Sequence, residues 1–466
     1  MTQLSPRVSP DRRSAVGLGA SVAVVAAVFY ALLAIGRWRA GNSANYDLGI
    51  FAQGADAWSR GQWPESHIRG LSLLGDHFSP LLASWGVLWH FWPTPPTLLI
   101  TQAVLLAAGL GVIVAYTRQV AGLRLALFVA VVGLMSRAVL TTAMFDVHEV
   151  AYAAIALAVL CIALLQHRFG WAVAASVWLL LTKEDMGLTV FAAGACWWWM
   201  HRGDGWRRPL ILAGLGVAGV IVAMLVLGAF APGSGTGYLA YFGIGSSNKL
   251  PVPEDHSLSP QRLLPVLMYV VTALGIGVRS KLTLLAIPTL LWRAASSNIH
   301  YWALDFHYDL VLWPIGLLAF VDVCRKGLPR LRSRGGVVVA IATVASLALG
   351  IAELQQRAVT PSSTVRTAPV VRDIRSLAGD HLPKGAKVAT QMDVGPYLVP
   401  RYDVYSLRPD QRPRVDYVMF TDKARWTYQV PVCARRRLVR EGTEVWRRGI
   451  VTLVKLPSTQ VITPTC

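Results

Sequence analysis

The apolar run from about Ala15 to Gly36 constrains this chain more than any other feature. A helix of about 20 apolar residues crosses the hydrocarbon core of a bilayer. Ten more apolar segments follow, at about 96–116, 122–141, 150–166, 169–182, 187–200, 209–231, 263–278, 281–292, 309–323 and 336–352. In lipid every backbone polar group needs a partner within the protein, so only helices and closed barrels span it. With 54% hydrophobic and 15% charged residues, the chain reads as an α-helical polytopic membrane protein of about 11 transmembrane helices. The first run lacks a clean small-residue cleavage site and predicts an uncleaved helix.

Orientation follows from the basic residues. Arg12 and Arg13 precede the first span, which puts the N-terminus in the cytoplasm. With eleven spans, Arg118 and Arg124, His167-Arg168, Arg207-Arg208, Arg279 with Lys281, and Arg325 to Arg334 then all fall inside. The acid- and His-bearing loops fall outside, as does the tail. The expected plan is a cytoplasmic N-terminus (1–14), a bundle (15–352) with an outer loop at 37–78, and an extracytoplasmic domain (353–466). The membrane is the cytoplasmic (inner) one. The net charge of +19 is explained largely by basic inner loops, which argues against a nucleic-acid partner. The last 114 residues hold 19 Lys/Arg against 10 Asp/Glu. Such a tail faces membrane lipids or a phosphorylated substrate, or is a solvated surface.

Segment 79–92 is apolar but too short to span, and reads as a half-span or an interfacial helix carrying Trp85, Trp89 and Trp92. From Glu353 the composition changes. Val365 to Leu377 has helical spacing; Lys387 to Thr390, Val415 to Phe420 and Ile450 to Leu456 are strand candidates rich in β-branched residues. This predicts a small C-terminal α/β domain. Cys161, Cys196 and Cys324 lie in or beside apolar spans, whereas Cys433 and Cys466 share the tail and are a candidate disulfide.

An acid or base at membrane depth costs about 2.5–3.5 kcal/mol on insertion scales, so charged groups there ask for a reason. Lys183-Glu184-Asp185 interrupts two apolar segments. Asp146 and Glu149 flank His148 at helical spacing. His300, Tyr301 and His307 precede the penultimate span, and Asp76-His77 closes the first outer loop. With Asp47 these groups gather at one membrane face, although each alone can be a solvated loop charge or a structural ion pair. Transfer of a sugar from a polyprenyl phosphate needs a base for the acceptor hydroxyl and positive charge or hydrogen-bond donors for the leaving phosphate. Lys183, Arg293, His300 and His307 are candidate phosphate partners. A divalent metal is compatible with the Asp/His groups, but no motif requires one. The chain has no phosphate-binding glycine loop, dinucleotide fingerprint or serine elbow.

Asn45-Tyr46-Asp47-Leu48-Gly49-Ile50-Phe51-Ala52-Gln53, His77-Phe78-Ser79-Pro80, Phe145 to Glu149, Thr182 to Asp185 and His300-Tyr301 occur in order over about 40–310. The tail adds Leu382 to Val388 and Val399-Pro400-Arg401. Together they resemble a family of polytopic bacterial membrane proteins of unknown function grouped with the GT-C glycosyltransferases. In place of a Phe-His-Pro-Glu pattern this chain has Val147-His148-Glu149. The resemblance implies a GT-C-like fold, a catalytic acid in the first outer loop at Asp47, and a polyprenyl-phosphate sugar as donor. The expected reaction is inverting transfer to an envelope glycan or lipid acceptor. Tyr46, Gln53, Asp76, His77, Asp146, His148, Glu149, Lys183, Glu184, Asp185, Arg293, His300, Tyr301 and His307 are the expected substrate-binding set.

Two other readings remain. A transporter or flippase for a lipid-linked saccharide predicts polar residues continuing to the inner face and inverted repeats. A non-catalytic envelope assembly subunit predicts that Asp47 is dispensable.

Overall fold

A computed structural model describes residues 12–230, 259–296, 298–325, 329–330, 332–357, 365–408, 411–422, 430–462 and 464–466. Each of the eleven apolar segments is helical, but they differ in length. Among the described residues, five helices are long and apolar enough to cross a membrane: Arg12–Arg39, Pro95–Ala121, Arg207–Phe230, His307–Cys324 and Arg334–Gln356. Leu123–Leu134 and Arg137–Ala143 meet the same length and composition together but are bent by 48° at the break between them, the shape of a broken span or a re-entrant loop. Ala151–Leu165, Phe169–Leu180 and Met186–Met200 are shorter apolar helices. The 263–278 and 281–292 segments are broken into Leu264–Thr272, Ile287–Ala295 and intervening 3-10 turns.

Burial sorts the long helices. The His307–Cys324 segment is 83% buried and forms the centre; Arg12–Arg39 and Arg334–Gln356 are 28% buried and Arg207–Phe230 22%. Their outward residues, such as Val24, Val25, Ile221, Leu225, Ile341 and Val344, are exposed apolar side chains suited to lipid. Helices in lipid associate through close packing of small residues rather than hydrophobic exclusion. A Cβ added at Gly19 would lie 2.5 Å from the Gly111 carbonyl oxygen, so only glycine lets the Arg12–Arg39 and Pro95–Ala121 backbones touch. The 79–92 segment is a 3-10 turn followed by a helix, Ala83–Phe91. Trp85 and Trp89 are fully buried there and Trp92 is exposed.

The tail folds into a five-stranded sheet. A short ribbon between the first and second long helices supplies β1 (Glu65–Ser66) and β2 (Leu71–Ser72); the sheet comprises β3 (Lys387–Thr390), β4 (Asp403–Ser406), β5 (Arg414–Thr421), β6 (Glu444–Arg448) and β7 (Val451–Val461). Its order is β4-β3-β5-β7-β6. β3 runs parallel to β4 and β5, while β7 is antiparallel to β5 and β6. Side chains alternate across a strand, and both faces are apolar here. Val388, Val404, Met419 and Leu453 pack on the Pro369–His381 helix, on Trp38 at the end of the Arg12–Arg39 helix and on Leu48 and Ile50 of the segment that follows it. Val418, Phe420 and Val454 pack on Ala434 and Leu438 of the Val432–Glu441 helix. The same core thus joins the tail domain to the loop that carries Asp47. Cys433 and Cys466 form a disulfide, with their Cα atoms 5.7 Å apart.

Candidate functional site

The first long helix ends at Arg39, and the chain re-enters helix through a π-turn, Asn45–Gly49, that continues into Ile50–Ser59. Asp47 sits in that turn. Asn45 fixes it from the tail side: its backbone N–H donates to the Met392 carbonyl at 2.8 Å, and its amide donates to Thr390 Oγ1 at 3.1 Å. A Cβ at Gly395 would fall 1.9 Å from Asn45 Oδ1, so the approach requires glycine. From the bundle side, Asp146 Oδ2 accepts the Ala44 N–H at 2.8 Å.

Asp146 lies in a strained stretch, with φ of 51°. Gln102 holds it in place from the Pro95–Ala121 helix. The Gln102 amide donates to the Thr142 and Asp146 carbonyls at 3.0 and 2.7 Å, and its Oε1 accepts the His148 N–H at 2.8 Å. Sequence reasoning missed Gln102. Its signal was a lone amide in an apolar span, where a polar group marks an interhelical contact.

Asp47 is half-buried. Burial raises its carboxyl well above the ordinary range, and the neighbouring charges of Asp146 and Glu149 raise it further. Asp146 is also raised by burial, partly offset by the hydrogen bonds it accepts and by Arg37. Glu149 behaves oppositely: burial would raise it, but Lys183 and His77 hold it down at about 2. Lys183 Nζ contacts Glu149 Oε1, and both side chains are largely buried. His77 Nδ1 lies 3.2 Å from Glu184 Oε1, while Glu184 Oε2 accepts the Phe78 N–H at 3.0 Å. Burial disfavours the charged imidazole of His77, yet Glu184 lifts it to about 9. Asp185 is raised by burial to about 6, and its Oδ1 has no hydrogen-bond partner among the described residues.

His77, Lys183, Glu184 and Asp185 open onto a cavity of about 140 Å³. His77, Lys183, Glu184, Asp185, Ser296, Tyr301 and Tyr308 line its polar side; Val150, Leu188, Val220, Met224 and Val311 line an apolar side. Asp47 is not among its lining residues. His148 and His307 stack beside this group with ring centroids 3.5 Å apart. Burial lowers the His148 imidazole to about 3, and its Nε2 and both His307 ring nitrogens are buried without a hydrogen-bond partner among the described residues.

Other expected residues stand apart. Arg293 is fully buried and pairs with Asp309 at 2.6 Å, while its Nε donates to the Tyr301 carbonyl at 2.8 Å; it supports the cavity wall rather than lining it. His300 is exposed and packs edge-on to Phe306. Asp76 pairs with Arg69 at 2.9 Å, and Tyr46 lies between the guanidinium groups of Arg69 and Arg408. The Gln53 amide donates to the Val404 carbonyl at 2.8 Å and accepts from Ser66 and Ile68, which ties the segment carrying Asp47 to β4. Among the described residues, no group of three or more His, Cys, Asp or Glu is placed to hold a metal ion.

Raised carboxyls, a pair of cationic side chains and an apolar wall therefore occupy one region of the bundle. ArnT from Cupriavidus metallidurans, solved bound to undecaprenyl phosphate, has a similar fold: TM-score 0.57 at 16% identity, covering 94% of this chain and 97% of that one. Two structures of the arabinofuranosyltransferase AftD from Mycobacteria align at TM-scores of 0.49 and 0.47 and 14% identity. They cover 96% of this chain and 42% and 40% of theirs, so this chain spans about two fifths of AftD. No curated protein sequence matches the chain. A family model described as a predicted membrane protein (DUF2079) matches residues 42–432, and the chain belongs to that family.

Proposed function

We propose that this protein is a GT-C-type glycosyltransferase of the inner membrane. It moves a sugar from a polyprenyl-phosphate donor to an envelope glycan or lipid on the outer face. The observation that carries this reading is the two-sided cavity, with His77 and Lys183 at one side and Leu188, Val220 and Met224 at the other. A phosphate with an attached hydrocarbon chain needs that pairing of cations and apolar wall. The undecaprenyl phosphate bound to ArnT supports the same ligand class, and the Cys433–Cys466 disulfide supports an oxidising, extracytoplasmic tail.

In the proposed reaction Asp47 takes the proton of the acceptor hydroxyl. The acceptor oxygen bonds to the anomeric carbon from the face opposite the phosphate, and the bond from that carbon to the phosphate oxygen breaks. The electron pair leaves with the polyprenyl phosphate, whose negative charge protonated His77 and Lys183 meet. A base works best when its basicity lies near the working pH, and the raised Asp47 carboxyl supports that role. Asp185 is the competing base, because it lines the cavity itself with a carboxyl at about 6.

The test is the envelope glycan and glycolipid profile of a deletion strain carrying wild type, Asp47→Asn or Asp185→Asn at matched membrane levels. Loss of a glycan with Asp47→Asn, together with accumulation of its unextended acceptor, supports Asp47 as base. The same pattern with Asp185→Asn alone moves the role to Asp185. Full complementation by both variants overturns the transferase reading and favours transport or scaffolding.

A further inference from the structure

The Val432–Glu441 helix and strands β5, β6 and β7 enclose a cleft of about 750 Å³ on the tail domain. Arg435, Arg436, Arg440 and Arg447 line it, and among the described residues Asp422 is the one acid at its wall. Phe420 and Thr452 form the floor, and Arg447 stands opposite Thr452 in the β6–β7 register.

Four guanidinium groups around one cleft repel one another unless something neutralises them. Arg435 donates to the Thr421 carbonyl at 3.0 Å and lies 3.4 Å from Asp422, but its Nε is buried without a hydrogen-bond partner. Among the described residues, Arg436, Arg440 and Arg447 make no ion pair. The nearby acids are engaged elsewhere, Glu441 with Arg437 and Glu444 with Lys455. The described residues around the cleft therefore supply no free countercharge to Arg436, Arg440 and Arg447.

Location narrows the ligand. The face of the sheet that packs on Trp38 and Leu48 carries Val388, Val404 and Met419, whereas the Val432–Glu441 helix covers the opposite face. The cleft thus looks away from the bundle and the membrane it spans. Cys433, at the cleft edge, is disulfide-bonded to Cys466, which fits an oxidising compartment and disfavours a nucleic acid.

We infer that this cleft binds an anionic glycan, one bearing phosphodiester or carboxylate groups, through bidentate contacts from Arg436, Arg440 and Arg447. The inference does not depend on transfer chemistry at Asp47. It is a binding site on the tail domain, separate from the cavity at His77 and Lys183.

The test uses the full chain in detergent and four probes: a glycerol-phosphate oligomer, a galacturonate oligomer, an uncharged oligosaccharide of similar length, and short-chain phosphatidylglycerol. The expected result is binding of one or both acidic oligomers, with at least a tenfold weaker Kd in the Arg436→Gln/Arg440→Gln/Arg447→Gln variant. Raising the salt weakens it likewise. Which acidic oligomer binds more tightly identifies the anionic group. Arg372→Gln, an exposed charge elsewhere on the domain, leaves binding unchanged, and the triple lysine variant retains part of it. Equal binding by wild type and the glutamine variant overturns the site. So does equal binding of the uncharged oligosaccharide, or displacement of the acidic oligomers by phosphatidylglycerol. Coincident thermal unfolding of the variants and wild type confirms that the comparison is between folded proteins.

Discussion

Replacing Lys183 with Met probes the part of the site that holds the most charge in the least water. The Lys183 and Glu149 side chains are 12% and 3% exposed and in direct contact. Methionine keeps the length and apolar stem of lysine, so the perturbation is the loss of the ammonium. Breaking a buried pair by removing one partner costs about 3–5 kcal/mol, because the other charge is left uncompensated. His77 also bears on Glu149 and stays in place, so the expected loss is at the lower end, about 3 kcal/mol. Glu149→Gln is expected to cost less, since Lys183 retains the fields of Glu184 and Asp185. The double variant removes both charges and should recover most of the loss, because replacing a whole buried pair is often neutral. Unfolding of the full chain in mixed micelles, followed by tryptophan fluorescence, reads all four proteins of the cycle. If Lys183→Met is as stable as wild type, or the double variant is no more stable than Lys183→Met, the pair is not energetically coupled and the charge balance argued here is wrong.

Gln102→Leu removes three hydrogen bonds around Asp146 and His148; at about 0.6 kcal/mol per interhelical hydrogen bond it should cost about 2 kcal/mol, with faster hydrogen exchange at 142–148 as the reading. The proposed transfer should be bell-shaped in pH. It falls on the acid side as Asp47 takes up its proton, at a pH above the usual carboxylate range because that carboxyl is raised. It falls on the alkaline side near 9 as His77 loses its proton, and His77→Gln removes that alkaline limb. Gly395→Ala drives a methyl into Asn45 and should loosen the tail domain from the first outer loop, read as faster proteolysis within 365–408; unchanged proteolysis refutes the close packing.

The apolar segments were readable because lipid imposes a length and a composition on any helix that crosses it, and those survive in a single chain without further information. What they did not disclose is interruption. The 263–278 and 281–292 segments look like spans by composition, yet Gly275 (φ 71°) and several 3-10 turns break them into short pieces. The tail follows the same logic. β3 was recognisable from the turn before it, whereas β4 is only four residues long and β6 is mostly charged, and both are strands because neighbouring strands recruit them. Local pattern cannot announce a pairing between distant segments.

The same limit explains the site. Charged residues at membrane depth drew attention one by one, since each needs a reason to be there, and five of them do line or adjoin one cavity: His77, Glu149, Lys183, Glu184 and Asp185. What was hidden is the division of labour among identical residue types. Glu149 is held ionised by a cation in contact with it, Asp185 is raised with one oxygen unpartnered, and Asp47 is raised by burial and two like charges. Environments that push neighbouring carboxyls apart in acidity separate acid, base and structural roles. By that rule Glu149 is a structural anion that keeps Lys183 charged, as Glu184 does for His77. In the proposed reaction the proton-accepting role is left to Asp47 or Asp185, and the two asparagine variants assign it. Asn45 adds the last constraint. Its contacts to Thr390 and Met392, some 345 residues away, mean that the turn carrying Asp47 is built partly by the tail domain. A chain cut before residue 365 should therefore leave the cavity at Lys183 largely in place while Asp47 loses its fixed position, so that polyprenyl-phosphate binding outlasts transfer.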